Sequence, residues 1–522
     1  MPASRRTAHR HLLHRFAAIA LAASTGLTVT ACLKRAGTYP PGSMADSADW
    51  APSYSAEDYN HIEDNGFVAV ADSPLSTFSI DVDTASYSNT RRFLASGTHP
   101  PADAVRIEEM INYFEYDYPQ PAGPHPFSVS TEISDCPWNT AHQLVHLGIQ
   151  GKHVALDKVP PRNLVFLVDV SGSMSAPDKL GLLKRSLLML ADQLRAEDRV
   201  AIVVYAGASG VVLEPTNDKA QIRKALERLD AGGSTAGAEG LALAYEVADR
   251  HFVKGAVNRV ILASDGDFNV GPSSQGELID MIEDRRASGV FLSVLGFGTG
   301  NLNDAMMEQV ADHGNGNYAY IDSAKEAHRV LVQQANSTLV PIAKDVKLQV
   351  EFNPNVVESY RLVGYENRML DDQDFKDDKK DAGELGSGHS VTALYEIVPA
   401  GAHEHAPKVD PLKYQAESTP KPTAGTDETM NVKIRYKHPD GDQSREVSVA
   451  VDVQAVSLAR TTDNFRFSAA VAEFGMVLRD SEHRGDASFT RAYELGTNAL
   501  GQDNDGARAE FLALVQRAAS IQ

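Results

Sequence analysis

Cysteine is nearly absent: Cys32 and Cys136 are the two in 522 residues. If Cys32 is acylated, Cys136 has no intramolecular partner, and no structural disulfide can form even in an oxidising compartment. Cys136 is then expected to be a small buried hydrophobe. Basic charge is also scarce, with 49 Lys and Arg against 70 Asp and Glu and a net charge of -21. That balance argues against nucleic acid and anionic headgroups as general partners but leaves divalent cations open. Missing too are a Walker loop, a Gly-x-Ser-x-Gly elbow, a His-Glu-x-x-His pair among the 17 His, and zinc-type Cys spacing. The usual sequence signals of nucleotide hydrolysis, serine esterase and zinc chemistry are therefore not there, and no enzyme is expected.

What is present begins with a basic stretch, Arg5, Arg6, Arg10 and Arg15, followed by a short apolar run from Phe16 to Leu27. The run is too short for a spanning helix and reads as an export signal over residues 1–31. Arg5-Arg6 is weak evidence for twin-arginine export. Removing the four Arg takes the remaining chain to -25. The run ends in Val29-Thr30-Ala31-Cys32, which resembles a bacterial lipobox. The resemblance implies lipidation of Cys32, a membrane anchor and a place in the bacterial cell envelope, on the outer membrane if the cell is Gram-negative.

Hydrophobic content of 43% and charged content of 23% are ordinary for globular protein. At roughly 150 residues per domain, the length suggests about three units. Residues 32–74 are rich in Ala, Ser, Pro, Asp and Gly and are expected to be a flexible tether. Residues 75–160 mix strands with helices, the helix at Val105–Phe114 placing Ile107, Met110, Ile111 and Phe114 on one face. From 161 to 338 short apolar strands alternate with helices, which implies an α/β, doubly wound, mostly parallel sheet. Residues 339–460 return to β character, and 461–522 have helical spacing. Strands on both sides of the α/β segment suggest that it is inserted into a β-sandwich.

Ligands of doubly wound sheets sit beyond the carboxyl ends of the strands. There the chain places Asp169-Val170-Ser171-Gly172-Ser173, a carboxylate and two hydroxyls at alternate positions of a turn. Such oxygens suit a hard cation, while a Ser-rich turn using its side chains as caps is the bland alternative. Gly232-Gly233-Ser234-Thr235 precedes a helix, and Ser264-Asp265-Gly266-Asp267 ends another strand. The three segments together resemble the metal-ion-dependent adhesion site of von Willebrand factor type A domains. That resemblance implies Mg2+, with Mn2+ or Ca2+ as alternatives, held directly by Ser171, Ser173 and Thr235, with Asp169 and Asp265 acting directly or through water. It also implies a protein partner whose Asp or Glu completes the shell. Asp267 is read as a loop acid or helix-start residue.

Four further segments, Phe78–Tyr87, Asp265–Gly271, Asn303–Gln309 and His389–Glu396, are similar to the bacterial YfbK-like lipoproteins. The similarity covers nearly everything after residue 75. The outer segments are expected to pack domains together, and the acidic run Asp371–Asp381 to be a solvated loop. The leading expectation is a metal-dependent binding module on the envelope. A stress-response scaffold with a merely stabilising metal, and a hydrolase hosted by the flanking domains, are the alternatives.

Overall fold

Alternating strand faces build the α/β part. In the computed structural model, which describes residues 57–80, 83–234, 237–266, 275–380, 382–402, 428–439, 441–452 and 454–521, six strands form one sheet. They are β1 (Arg162–Asp169), β2 (Arg199–Tyr205), β3 (Ser209–Thr216), β4 (Val257–Ser264), β5 (Phe291–Phe297) and β6 (Tyr318–Ile321). Their order is β6-β5-β4-β1-β2-β3. All neighbours are parallel except β3, which runs antiparallel to β2 at the edge. Leu164, Phe166 and Val168 of β1 pack against Leu183, Leu187, Ile222 and Val330 on one face. Val165 and Leu167 pack against Leu241, Tyr245, Ile282 and Val310 on the other. A strand buried on both faces is apolar throughout, as β1 is. The sheet is thus mixed and mostly parallel, with helices on both sides.

Two antiparallel sheets form the second layer. One contains Val68–Ala69, Val357–Val363, Ser390–Pro399, Asn139–Gly151 and Phe127–Cys136, in that order. In the other, Pro341–Phe352 lies between Leu75–Ser79 and Met430–Lys437, with Ser444–Val451 outside. Their facing side chains, among them Phe78, Ile149, Leu348, Phe352, Tyr395 and Ile434, share one core. The sandwich is built from both sides of the α/β segment: Ile149 pairs with Val391 and Leu147 with Ala393. The α/β part is an insertion in it.

Three helices, Asp463–Arg479, Phe489–Thr497 and Ala507–Ser520, close the chain. They do not form a unit of their own. Phe465, Phe467, Phe474 and Phe511 share a core with Tyr87, Ile107, Met110 and Phe114 from the helices Ala85–Ser96 and Ile107–Asn112. Residues 75–160 are therefore divided between this helical layer and the sandwich and do not make a separate N-terminal domain. Residues 57–74, expected to be tether, also belong to the fold: Val68 pairs with Tyr360, and Asn65 Nδ2 donates to Gly364 O at 2.8 Å. Cys32, the export signal and residues 33–56 lie outside the described residues.

The acidic loop is pinned in part. Asp372 Oδ1 accepts from Thr77 Oγ1 at 2.9 Å, and Asp378 Oδ1 from Arg435 Nη2 at 2.8 Å. Cys136 is buried, as expected of a small hydrophobe, and burial pushes its thiol well up.

A candidate metal centre at the carboxyl edge of the sheet

β1 ends at Asp169 and β4 at Ser264, side by side, since Val168 is in register with Ala263. Asp169 is fully buried. Its Oδ1 accepts the Ser171 backbone N–H at 2.8 Å, which turns the chain back on itself at the strand end. Its Oδ2 accepts Ser264 Oγ at 3.0 Å and Tyr205 Oη at 3.2 Å. One carboxylate thus ties the ends of β1, β2 and β4 together. Burial pushes its pKa up, against the hydrogen bonds from Ser171, and the nearby Asp265 charge raises it further.

Ser171 and Ser173 point their hydroxyls at each other, Oγ to Oγ 2.9 Å. The second loop is bound to the first by backbone hydrogen bonds, Gly172 N to Gly233 O at 3.1 Å and Gly232 N to Val170 O at 2.8 Å. Gly233 has φ +91°, and a Cβ there would approach Gly207 N to 3.2 Å. The structure brings Asp169, Ser171, Ser173 and the backbone of residues 232–234 together. Thr235 and Asp267 lie outside the described residues.

Asp265 is fully buried on the third loop. Lys179 Nζ donates to its Oδ2 at 2.9 Å and to Asn301 Oδ1 at 2.7 Å. An ammonium group therefore stands against an oxygen that the resemblance assigns to metal. The two hydroxyls, the carboxylate oxygens and this stand-in cation fit a hard divalent ion. Sequence reasoning missed Lys179 and Asn301, because a lysine before a Leu-rich helix and an Asn in a loop carry no pattern of their own.

The loop bearing Asn301 is itself stitched in place. Gly266 (φ +95°) packs so closely on it that a Cβ would lie 2.4 Å from Asn303 N. The first described residues bind its other side: Asp58 N donates to Leu302 O at 2.9 Å, and Asp304 N to Asp58 O at 3.1 Å. Gly300 N donates to Glu57 Oε1 at 2.9 Å, and Arg92 holds that carboxylate from the other side.

Two of the signature segments, Phe78–Tyr87 and Asn303–Gln309, meet in a buried charge network through Asp83, Asp304 and Glu308. Arg106 pairs with Glu109 and with Asp304. Arg368 pairs with Asp83, Glu308 and Asp312. Asp83, Glu109 and Glu308 bring ligand-type oxygens within 4.8 Å of one another, but two guanidinium groups already serve this trio. It reads as ion pairing that joins the layers. A cavity of about 670 Å³, reached by Tyr116, His389 and Arg508, includes none of the three loops at the sheet edge.

Fold and loop arrangement together define a protein built around a von Willebrand factor type A domain. Family models agree: "von Willebrand factor type A domain" matches residues 164–267, "von Willebrand factor" residues 53–146, and "Uncharacterized protein YfbK, C-terminal" residues 337–521. Escherichia coli K12 YfbK is 41% identical over 94% of this chain and 85% of its own length. The chain belongs to the YfbK family. More distantly, it is 30% identical to Synechocystis protein sll0103, over 36% of this chain and 44% of that one. Human inter-alpha-trypsin inhibitor heavy chain H3 is 28% identical over 32% of this chain and 20% of its own. Among solved structures, a von Willebrand factor type A protein from Catenulispora acidiphila is 16% identical, covers 77% of this chain and 92% of that one, and has a TM-score of 0.43. BatB from Bacteroides thetaiotaomicron is 24% identical, covers 33% and 97%, and has a TM-score of 0.29. At these scores the fold rests on the chain's own strand pairing.

Proposed function

We propose that this chain is an envelope-anchored lipoprotein that grips a partner protein through a divalent cation, magnesium first and manganese or calcium as alternatives. Ser171, Ser173 and Thr235 would hold the ion, with Asp169 and Asp265 acting directly or through water. When bound, it supplies a coordination position short of negative charge, which an Asp or Glu of the partner fills. The chain's own residues do the positioning. Asp169 locks the strand ends, and the Gly172 and Gly232 backbone bonds hold the second loop against the first. The role is binding, with the sandwich and helices as its support. Acylated Cys32 would tie the chain to the membrane, and the net charge of -21 speaks against nucleic acid.

The observation that carries this reading is the pair of serine hydroxyls, 2.9 Å apart beside buried Asp169. Capture from envelope extract on the full chain tests it, with magnesium against chelator and wild type against Ser173→Ala. A partner retained only by wild type with magnesium, while circular dichroism shows the chain folded throughout, supports it. Equal capture in chelator overturns it. Chelator-induced unfolding with no metal-dependent capture favours the scaffold reading instead.

A further inference from the structure

The metal reading leaves Lys179 without a role, although its placement is specific. Its side chain is buried, and its ammonium bridges Asp265 Oδ2 at 2.9 Å and Asn301 Oδ1 at 2.7 Å. The stem is housed deliberately. Gly298 has φ +77°, and any Cβ there would fall 2.3 Å from Lys179 Cγ. Tyr320 Oη fixes the same turn by donating to Gly298 O at 2.6 Å. A lysine required only for solubility would not be buried against a carboxylate with a glycine cleared for its methylenes.

Resting on the proposed metal site, we infer that Lys179 is a built-in competitor for the cation. It occupies Asp265 in the metal-free state and must withdraw before a divalent ion can use that oxygen. The physical reason is charge. Asp265 is fully buried, and a buried carboxylate without a counterion is costly. The lysine removes that cost while the site is empty. It therefore stabilises the empty state and lowers apparent metal affinity by the fraction of molecules in which the latch is closed. Asn301 completes the latch by giving the ammonium a second acceptor. The loop carrying Asn301 is held by Glu57 and Asp58 on one side and by Gly266 on the other. Metal entry is thus opposed by a defined contact, and whatever loosens the 298–304 loop would open it.

Calorimetric titration of magnesium chloride into the metal-stripped full chain tests this. Lys179→Met should bind magnesium roughly tenfold or more tightly than wild type, and Asn301→Ala more tightly by a smaller factor. Lys254→Met removes the same charge from an exposed turn and should leave affinity unchanged, which separates the latch from a general charge effect. In chelator Lys179→Met should melt below wild type, because buried Asp265 loses the ammonium at its Oδ2. Added magnesium should then raise its melting temperature more than it raises that of wild type. Equal or weaker binding by a folded Lys179→Met overturns the inference while leaving the metal site standing. If Lys179→Met fails to fold, unchanged affinity in Asn301→Ala overturns it. No binding by wild type, Lys179→Met or Asn301→Ala overturns the metal site and the latch together.

Discussion

Arg106 Nη1 donates to Asp304 Oδ2 at 2.6 Å across 198 residues of sequence, and both side chains are buried. The arginine precedes a helix of the helical layer; the aspartate opens the α/β helix Asp304–His313. Tyr318 Oη donates to the other oxygen of Asp304 at 2.9 Å. The contact joins the inserted domain to its host.

Arg106→Met should therefore be costly. It removes the cation and leaves Glu109 and Asp304 buried without it, a class of change that destabilises by about 3–5 kcal/mol. Urea denaturation of the full chain measures it. A loss below about 1 kcal/mol, the scale of an exposed pair, would show that the remaining arginine carries the network alone.

Asp169→Ala should lower stability even in chelator. Loop position alone suggests that a ligand there can be truncated cheaply, but this carboxylate satisfies Ser171 N, Ser264 Oγ and Tyr205 Oη in a buried setting. Each donor orphaned there costs about 1–3 kcal/mol. Ser173→Ala, at a half-buried position, should stay within about 0.5 kcal/mol of wild type. Metal-free melting curves compare the two. Identical midpoints would mean that Asp169 is not the hub of the strand ends.

Glu473 gives a pH dependence of defined sign. It is buried on the helix Asp463–Arg479, and among the described residues neither carboxylate oxygen has a hydrogen-bond partner, Arg491 Nε standing 3.6 Å from Oε1. Burial pushes its pKa from 4.5 up to about 7, against the pull of Arg491. Between those values the folded chain holds the proton and the unfolded chain does not. Its contribution to stability therefore falls as pH rises through that window and levels off above it. Glu473→Gln should match wild type near about pH 4 and melt higher near about pH 8. A difference between the two that stays constant over that range would show that the carboxyl is ionised in the fold.

Cys32→Ser should move the protein from the membrane fraction to the soluble one. No helix among the described residues is long and apolar enough to cross a membrane, and the lipobox-like Val29–Cys32 supplies the proposed anchor. Metabolic labelling with a fatty-acid probe reads it directly. Equal labelling of wild type and variant would remove the anchor from the proposal.

The parallel sheet was legible because its strands are apolar on both faces and its helices repeat Leu at helical spacing, as at Leu183, Leu187 and Leu190. Strand Val357–Val363 was not. Its Arg361 is buried and pairs with Glu396 on the adjacent strand at 2.7 Å, so a central strand carries the pattern of a loop. The serines and aspartates of the candidate metal loops announced themselves by spacing. Lys179 did not, since its role depends on Gly298 and Asn301, more than a hundred residues away and brought close only by the fold. The division of residues 75–160 between two layers was equally hidden, because periodicity shows which face is apolar but not which core receives it.

The insertion also bears on how the chain can fold. Strand Asn139–Gly151 waits for Ser390–Pro399, on the far side of the whole α/β segment. Yet the two ends of that segment touch: Val159, Val257, Ala335, Leu339 and Val340 form one small cluster, and Arg162 Nη2 donates to Asn336 Oδ1 at 2.7 Å. Once the inserted domain is folded, it acts as a short staple rather than a long loop. Each halving of the effective loop length returns about 0.6 kcal/mol of closure entropy. Sandwich assembly is then favoured after the insert, and damage to the insert's terminal helix would delay the pairing of Asn139–Gly151 with Ser390–Pro399.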